Sequence, residues 1–301
     1  MKRSRFLASI LVFCMSAAMA IGFAGCSLGI LIDENATDGL AYYPLPDGTY
    51  AVAQGNTIYL EEIIIPSTYK GKAVTLVAEN GFKESKAKSI NIPASVTGVG
   101  CAAFSHCESL KSVVIPDSVI AIGDYAFGDC SGLTSLEIPD SVIAIGNYAF
   151  LGCSNLTSIE ISNNVTTIGY GAFDHCSSLT SIEIPDGVTS IGDGLFYGCS
   201  MTSIEIPDSV KSIGNDAFSW CSSLTSMVIP DGLTSIGDKA FYGCSSLTIV
   251  YYQGAENEWA EIEIGSDNYR LTDATCYYYS ENEPTTLGNY WHYVDGVLTE
   301  W

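Results

Sequence analysis

Residues 176–198 read CSSLTSIEIPDGVTSIGDGLFYG, and the chain writes this string again and again. Cysteine returns at Cys107, Cys130, Cys153, Cys176, Cys199, Cys221 and Cys244. Phenylalanine returns at Phe104, Phe127, Phe150, Phe173, Phe196, Phe218 and Phe241, and glycine at Gly100, Gly123, Gly146, Gly169, Gly192, Gly214 and Gly237. Proline closes a short apolar run at Pro66, Pro93, Pro116, Pro139, Pro185, Pro207 and Pro230, with Ser162 in its place once. The period is 23 residues, except that one residue is missing between Cys199 and Cys221, where CSMTS replaces CSSLTS and Met201 takes the leucine position. A fixed period of this length is the mark of a stacked-repeat architecture.

One unit has two halves. In LTSIEIP the apolar residues are Leu179, Ile182 and Ile184. Ile182–Glu183–Ile184 alternates as a short strand does, and Pro185 removes a backbone donor and ends it. In VTSIGDGLF, Val188, Ile191, Leu195 and Phe196 are expected inward. Gly192 is expected at a turn of positive φ. Such a unit cannot bury its apolar side alone, but stacked coils cover one another. The pattern predicts an α/β-type repeat solenoid, a right-handed coil with one short parallel strand per repeat, little helix and a single parallel ribbon. About eight coils at ~4.7–4.9 Å per strand give roughly 40 Å of length. The expected organisation is a signal segment at 1–25, a lipidated cysteine, spacer and cap at 26–60, the solenoid at 61–252, and an aromatic cap and tail at 253–301. Within 26–60, YYPLPDGTYAV carries a Pro46–Asp47–Gly48 turn and reads as a small hairpin.

Strings such as LTSLEIPDSVIAIGNYAFLGC at 133–153 and LTSMVIPDGLTSIGDKAFYGC at 224–244 resemble the BspA-like (Treponema-type) leucine-rich repeat family. Its unit runs LxxIxIP, then VxxIGxxAFxxC. The resemblance covers roughly residues 61–252. It implies a cell-surface protein of bacteria, from a family with members linked to adhesion to host matrix proteins and to other bacteria.

The cysteine column raises the question of disulfides, metal or packing. Neighbouring coils bring equivalent Cα atoms within disulfide reach, but identical residues in identical coils point their Cβ atoms the same way rather than toward each other. No paired CxxC offers a zinc cluster. The column reads as small buried hydrophobes.

With 12 basic and 34 acidic residues, the net charge of −22 excludes a nucleic-acid binder, which needs basic patches for phosphate. The N-terminus MKRSRFLASILVFCMSAAMAIGFAGCS has a basic start and an apolar run, the layout of an export signal. Phe23–Ala24–Gly25–Cys26 resembles a bacterial lipobox, which assigns Cys26 the lipid and places the protein outside the cytoplasm, membrane-anchored at the cell surface. Cleavage after Ala18–Met19–Ala20 would instead release it, and an uncleaved membrane helix is the third reading.

Outward strand positions follow from alternation. They form a carboxylate column at Glu137, Glu160, Glu183 and Glu205 beside a serine column at Ser135, Ser158, Ser181 and Ser203. Stacked carboxylates repel, so this column is either a solvated face or the contact for a protein ligand on a host or microbial surface. A second acidic column, Asp117, Asp140, Asp186, Asp208 and Asp231, is ordinary turn chemistry. The C-terminal aromatics, Trp259, Trp291 and Tyr293 among them, are either an end plug with a mobile tail or a platform for glycans, and a structural spacer on the envelope is the third functional reading. No nucleophile, P-loop or metalloprotease motif occurs, a solenoid flank offers no obvious cleft, and neither enzyme chemistry, a cofactor nor a metal site is expected.

Overall fold

The computed structural model describes residues 38–285 and 288–301. The signal segment and Cys26 lie outside the described residues. The chain enters as the expected hairpin, Ala41–Pro44 antiparallel to Tyr50–Ala53. Asp47 accepts the Thr49 N–H at 2.9 Å and fixes the turn. The second hairpin strand pairs in parallel with Lys72–Val77, so the cap is already the first rung of the solenoid.

Most later repeats place their LxxIxIP half on a parallel ladder. Ser89–Asn91 and Ser112–Val114 pair in register, as do Ser135–Ile138 with Ser158–Ile161 and Ser203–Glu205 with Ser226–Ile229. The VxxIG half builds a second parallel ladder, with two-residue rungs such as Ala121–Ile122, Ala144–Ile145 and Thr167–Ile168. Two residues are too few for alternation to reveal, so the sequence pattern shows only the first ladder.

The single continuous ribbon expected from the repeat is not what forms. The first ladder divides between Ser112–Val114 and Ser135–Ile138, and again after Ser158–Ile161. Residues 180–185 form no strand, so Glu183 stands off the ladder. The second ladder divides at the same coil, between Thr167–Ile168 and Ser190–Ile191. A side-chain ladder beside it explains this second gap. Asp124 accepts the N–H of Asn147, Asn147 that of Tyr170, Asp193 that of Asn215, and Asn215 that of Asp238. Each carboxylate or amide ties its rung to the next. Tyr170 occupies this position once, has no acceptor at that reach, and leaves its rung without that side-chain tie, while the turn backbone still joins the coils, the Gly171 N–H meeting the Asp193 carbonyl at 2.9 Å.

The glycine column also has a different reason from the one expected. Gly192 does not have positive φ. A Cβ on Gly123 would lie 2.7 Å from the Cys101 nitrogen of the preceding coil, so the position needs glycine for close approach. At Gly192 the nearest atom is a Tyr170 ring carbon at 3.3 Å, the wider spacing of the untied rung. Positive φ falls two and six residues after the column glycine, as at Tyr125 and His106.

The core is built on columns. Eight phenylalanines from Phe82 to Phe241 stack with ring centroids 5.1–5.7 Å apart, the offset range that aromatic pairs prefer. Beside them, no cysteine among the described residues forms a disulfide. The seven column thiols are buried as expected, but they are also donors. Each donates to the phenylalanine carbonyl of the preceding coil at 3.0–3.2 Å, from Cys107 on Phe82 to Cys244 on Phe218. Burial pushes the thiols of Cys153 and Cys244 up to about 12, so they stay protonated and unreactive.

Candidate functional site

The outward face begins at its best-ordered pair. On Ser135–Ile138, Leu136 and Ile138 are buried while Ser135 and Glu137 are exposed. The same alternation puts Ser158 and Glu160 outward on the neighbouring strand. Register places Glu137 opposite Glu160 and Ser135 opposite Ser158. Two carboxylates at adjacent strand spacing repel, and among the described residues the one lysine–carboxylate pair, Lys88–Glu61, is elsewhere.

Further along, the predicted column is not uniform. Ser181 and Glu183 are exposed but stand on the segment without strand. Ser203 and Glu205 return to a paired strand, where Glu205 accepts a hydrogen bond from the Tyr293 hydroxyl at 3.0 Å. Burial, reinforced by the Glu205 charge, raises the Tyr293 hydroxyl to about 12.

That contact comes from the C-terminal segment, which buries Ile262, Leu271 and Trp291 at the end of the core and carries the rest of its length on as paired strands. Thr275–Tyr279 continues the first ladder beside Ile249–Tyr252. Tyr290–Val294 joins it through Tyr278 and Tyr279 and turns back as a hairpin with Val297–Glu300. The hairpin reaches over the outward column: Tyr251 donates to Glu300 at 2.8 Å. Asp186, Glu205, Asp208, Gln253, Tyr293 and Gly296 line a cleft of about 840 Å³ under it, so the flank does carry a cleft.

Of the aromatic platform, Trp291 is fully buried and donates its indole N–H to the Tyr252 carbonyl at 2.9 Å. It has no open face for a sugar, because the final turn of core needed its area. Trp259 is half-buried against Tyr252, with centroids 5.2 Å apart, and Tyr293 is 40% exposed. Trp259, Tyr278 and Tyr290 border a second cleft of about 550 Å³ with Glu256, Thr272 and Asn289.

Among the described residues no three His, Cys, Asp or Glu side chains gather as metal ligands, and no helix is long and apolar enough to cross a membrane. Two of the three histidines pair with carboxylates, His106 with Asp129 at 3.6 Å and His175 with Asp174 at 2.5 Å. Off the column, Cys276 is half-buried, and burial raises its thiol to about 11.

The model of the BspA type leucine rich repeat region matches residues 75–200 and 189–264, in six copies. A leucine-rich repeat protein from Bacteroides ovatus is 29% identical, with a TM-score of 0.64 over 82% of this chain and 71% of its own. The leucine rich repeat protein of T. pallidum is 25% identical, with a TM-score of 0.55 over 71% of this chain and 91% of its own. No curated protein matches. Repeat, two-ladder solenoid and matched region agree: the chain belongs to the BspA-type leucine-rich repeat family.

Proposed function

We propose that the protein is a bacterial cell-surface lipoprotein, anchored through Cys26, that binds protein partners and serves in adhesion to host or other microbial surfaces. The observation that carries the reading is the exposed Glu137–Glu160 pair, in register on a paired strand and without a basic side chain beside it. A basic protein ligand would relieve the repulsion, and solenoids present such columns to partners. The working face is the stretch ahead of the C-terminal hairpin, because Glu205 is already engaged by Tyr293.

The test is binding of the purified protein to an array of matrix proteins and glycans, beside a version with Glu137, Glu160, Glu183 and Glu205 changed to Gln. The expected result is a protein ligand, weakened by salt and lost in the Gln version. A ligand bound equally by both versions defeats the assignment of the face.

A second reading has one observation in its favour. The cleft beside Trp259, Tyr278 and Tyr290 joins aromatic rings to amide, hydroxyl and carboxylate groups, which suits a glycan. A glycan ligand unaffected by the Gln changes and lost in Trp259→Ala would select it.

A further inference from the structure

The side of each coil away from the strands carries a second surface, built on the turn that follows the column glycine. Tyr125 and Tyr148 stack there with centroids 5.0 Å apart. His175 lies 5.2 Å from Tyr197. Trp220 packs edge-on against Tyr242 at 5.7 Å, and Tyr242 against Tyr269 at 6.1 Å. These rings remain open to solvent: Tyr125 is 42% exposed, Tyr170 58%, Trp220 52% and Tyr269 43%.

The backbone beneath them is unfavourable for such residues. Tyr125, Tyr148 and Trp220 have φ of 56°, 54° and 63°, the left-handed region that glycine enters freely and bulky residues do not. Other coils place smaller or charged residues there: Gly171, Gly194, Ala102, Asp216 and Lys239 share the Tyr125 column, and Gly152, Gly198, Gly243, His106, Asp129 and His175 the Trp220 column. Strained large side chains that persist where glycine would serve point to a use.

Carboxylates stand on the same turns, and one of them, Asp174, pairs with His175 at 2.5 Å. Asp174 and Asp216 lie within electrostatic reach of the Tyr197 hydroxyl, and Asp124 and Asp174 within reach of Tyr125, each adding to the upward shift that burial gives these phenols. Asp124 accepts the Asn147 N–H of the next coil through one oxygen at 2.7 Å. Ring faces and carboxylates together suit one group above others, the guanidinium, which stacks on the ring and hydrogen-bonds the acid. The far end of the row shows this chemistry within the chain, where the Arg270 guanidinium sits 5.3 Å from the Tyr269 centroid.

We propose that the turn face from Tyr125 to Trp220 is a docking surface for an arginine-rich segment of a partner protein. It is separate from the strand face carrying Glu137 and Glu160. A sugar would use the rings but gain nothing from the negative charge, whereas the −22 chain steers a cationic segment toward it.

The test is calorimetric titration of the full chain with a synthetic peptide alternating arginine and glycine, the lysine equivalent, and a neutral oligosaccharide. Tyr125→Gly and Trp220→Gly install the residue that other coils already use. Each is expected to weaken the arginine peptide about fivefold without lowering the unfolding midpoint. The lysine peptide is expected to bind more weakly than the arginine one. Should a glycine variant fold poorly, Asp174→Asn with Asp216→Asn keeps the rings and must also weaken binding. The inference fails if the ring and carboxylate variants bind as the parent does, or if only the saccharide binds. It also fails if Glu137→Gln with Glu160→Gln abolishes peptide binding, since the peptide would then sit on the strand face. Loss in the ring variants alone supports this surface whether or not the strand-face reading survives.

Discussion

Where residues 165–168 meet 188–191, the two sides of the solenoid differ. On the strand side both ladders are interrupted. On the turn side nothing is. Phe173 stacks on Phe196 at 5.7 Å, Cys199 donates to the Phe173 carbonyl at 3.2 Å, and the Phe173 N–H meets the Leu195 carbonyl at 3.0 Å. The coils stay in register where their strands have parted. Strand pairing is therefore the replaceable part of this array, and the phenylalanine–cysteine column is the part that keeps one coil over the next.

The largest way to break that contrast is alkali. In the unfolded chain a thiol loses its proton near pH 9. Cys153 and Cys244 in the folded chain keep theirs to about 12 because they are buried. Between those values the unfolded state binds fewer protons than the folded one, so rising pH favours unfolding. Below pH 9 both states are protonated and the contribution is flat. Each such thiol removes roughly 1.4 kcal/mol per pH unit within the window. Melts followed by circular dichroism are expected to hold steady to about pH 8 and collapse by several kcal/mol at about pH 11. A midpoint unchanged through that range would strip the column of its role.

Phe173→Ala comes next, with an expected loss of ~3–5 kcal/mol by denaturant titration. Ile182→Ala, on the unpaired segment and only half-buried, is expected to lose clearly less. Equal losses would place the two sides on the same footing. The smallest effect sharpens the comparison by closing it. Tyr170→Asn supplies the missing acceptor for the next coil and is expected to add about 1 kcal/mol. Hydrogen exchange at Ser190 and Ile191 should slow to the rate of Ser212 and Ile213. Unchanged exchange would mean that Tyr170 is not what opens the gap.

Much of this was legible in one repeat. Val188, Ile191, Leu195 and Phe196 are buried as their spacing requires, the Pro46–Asp47–Gly48 hairpin forms, and Glu137 and Glu160 face outward. What was not legible depends on the neighbouring coil. Gly192 reads as a turn residue within its own unit, while the constraint on its column is an atom of the preceding coil, as Cys101 is for Gly123. The alternation of Ile182–Glu183–Ile184 is that of a strand, yet pairing needs a neighbour at hydrogen-bond distance. Trp291 looks like a platform within NYWHYV at 289–294, and its burial shows only once Tyr252 of another strand offers its carbonyl. A thiol reads as apolar until a carbonyl is placed above it.

The thiol column has a practical consequence. In a closed coil each S–H faces a carbonyl with its sulfur out of water, so an alkylating reagent can take a cysteine only when that coil opens. The seven sulfurs stand at nearly even intervals along the axis. Pulse alkylation read by peptide mapping would thus give an opening rate for each coil in turn, and the molecule carries its own scale for locating where fraying starts and how far it travels.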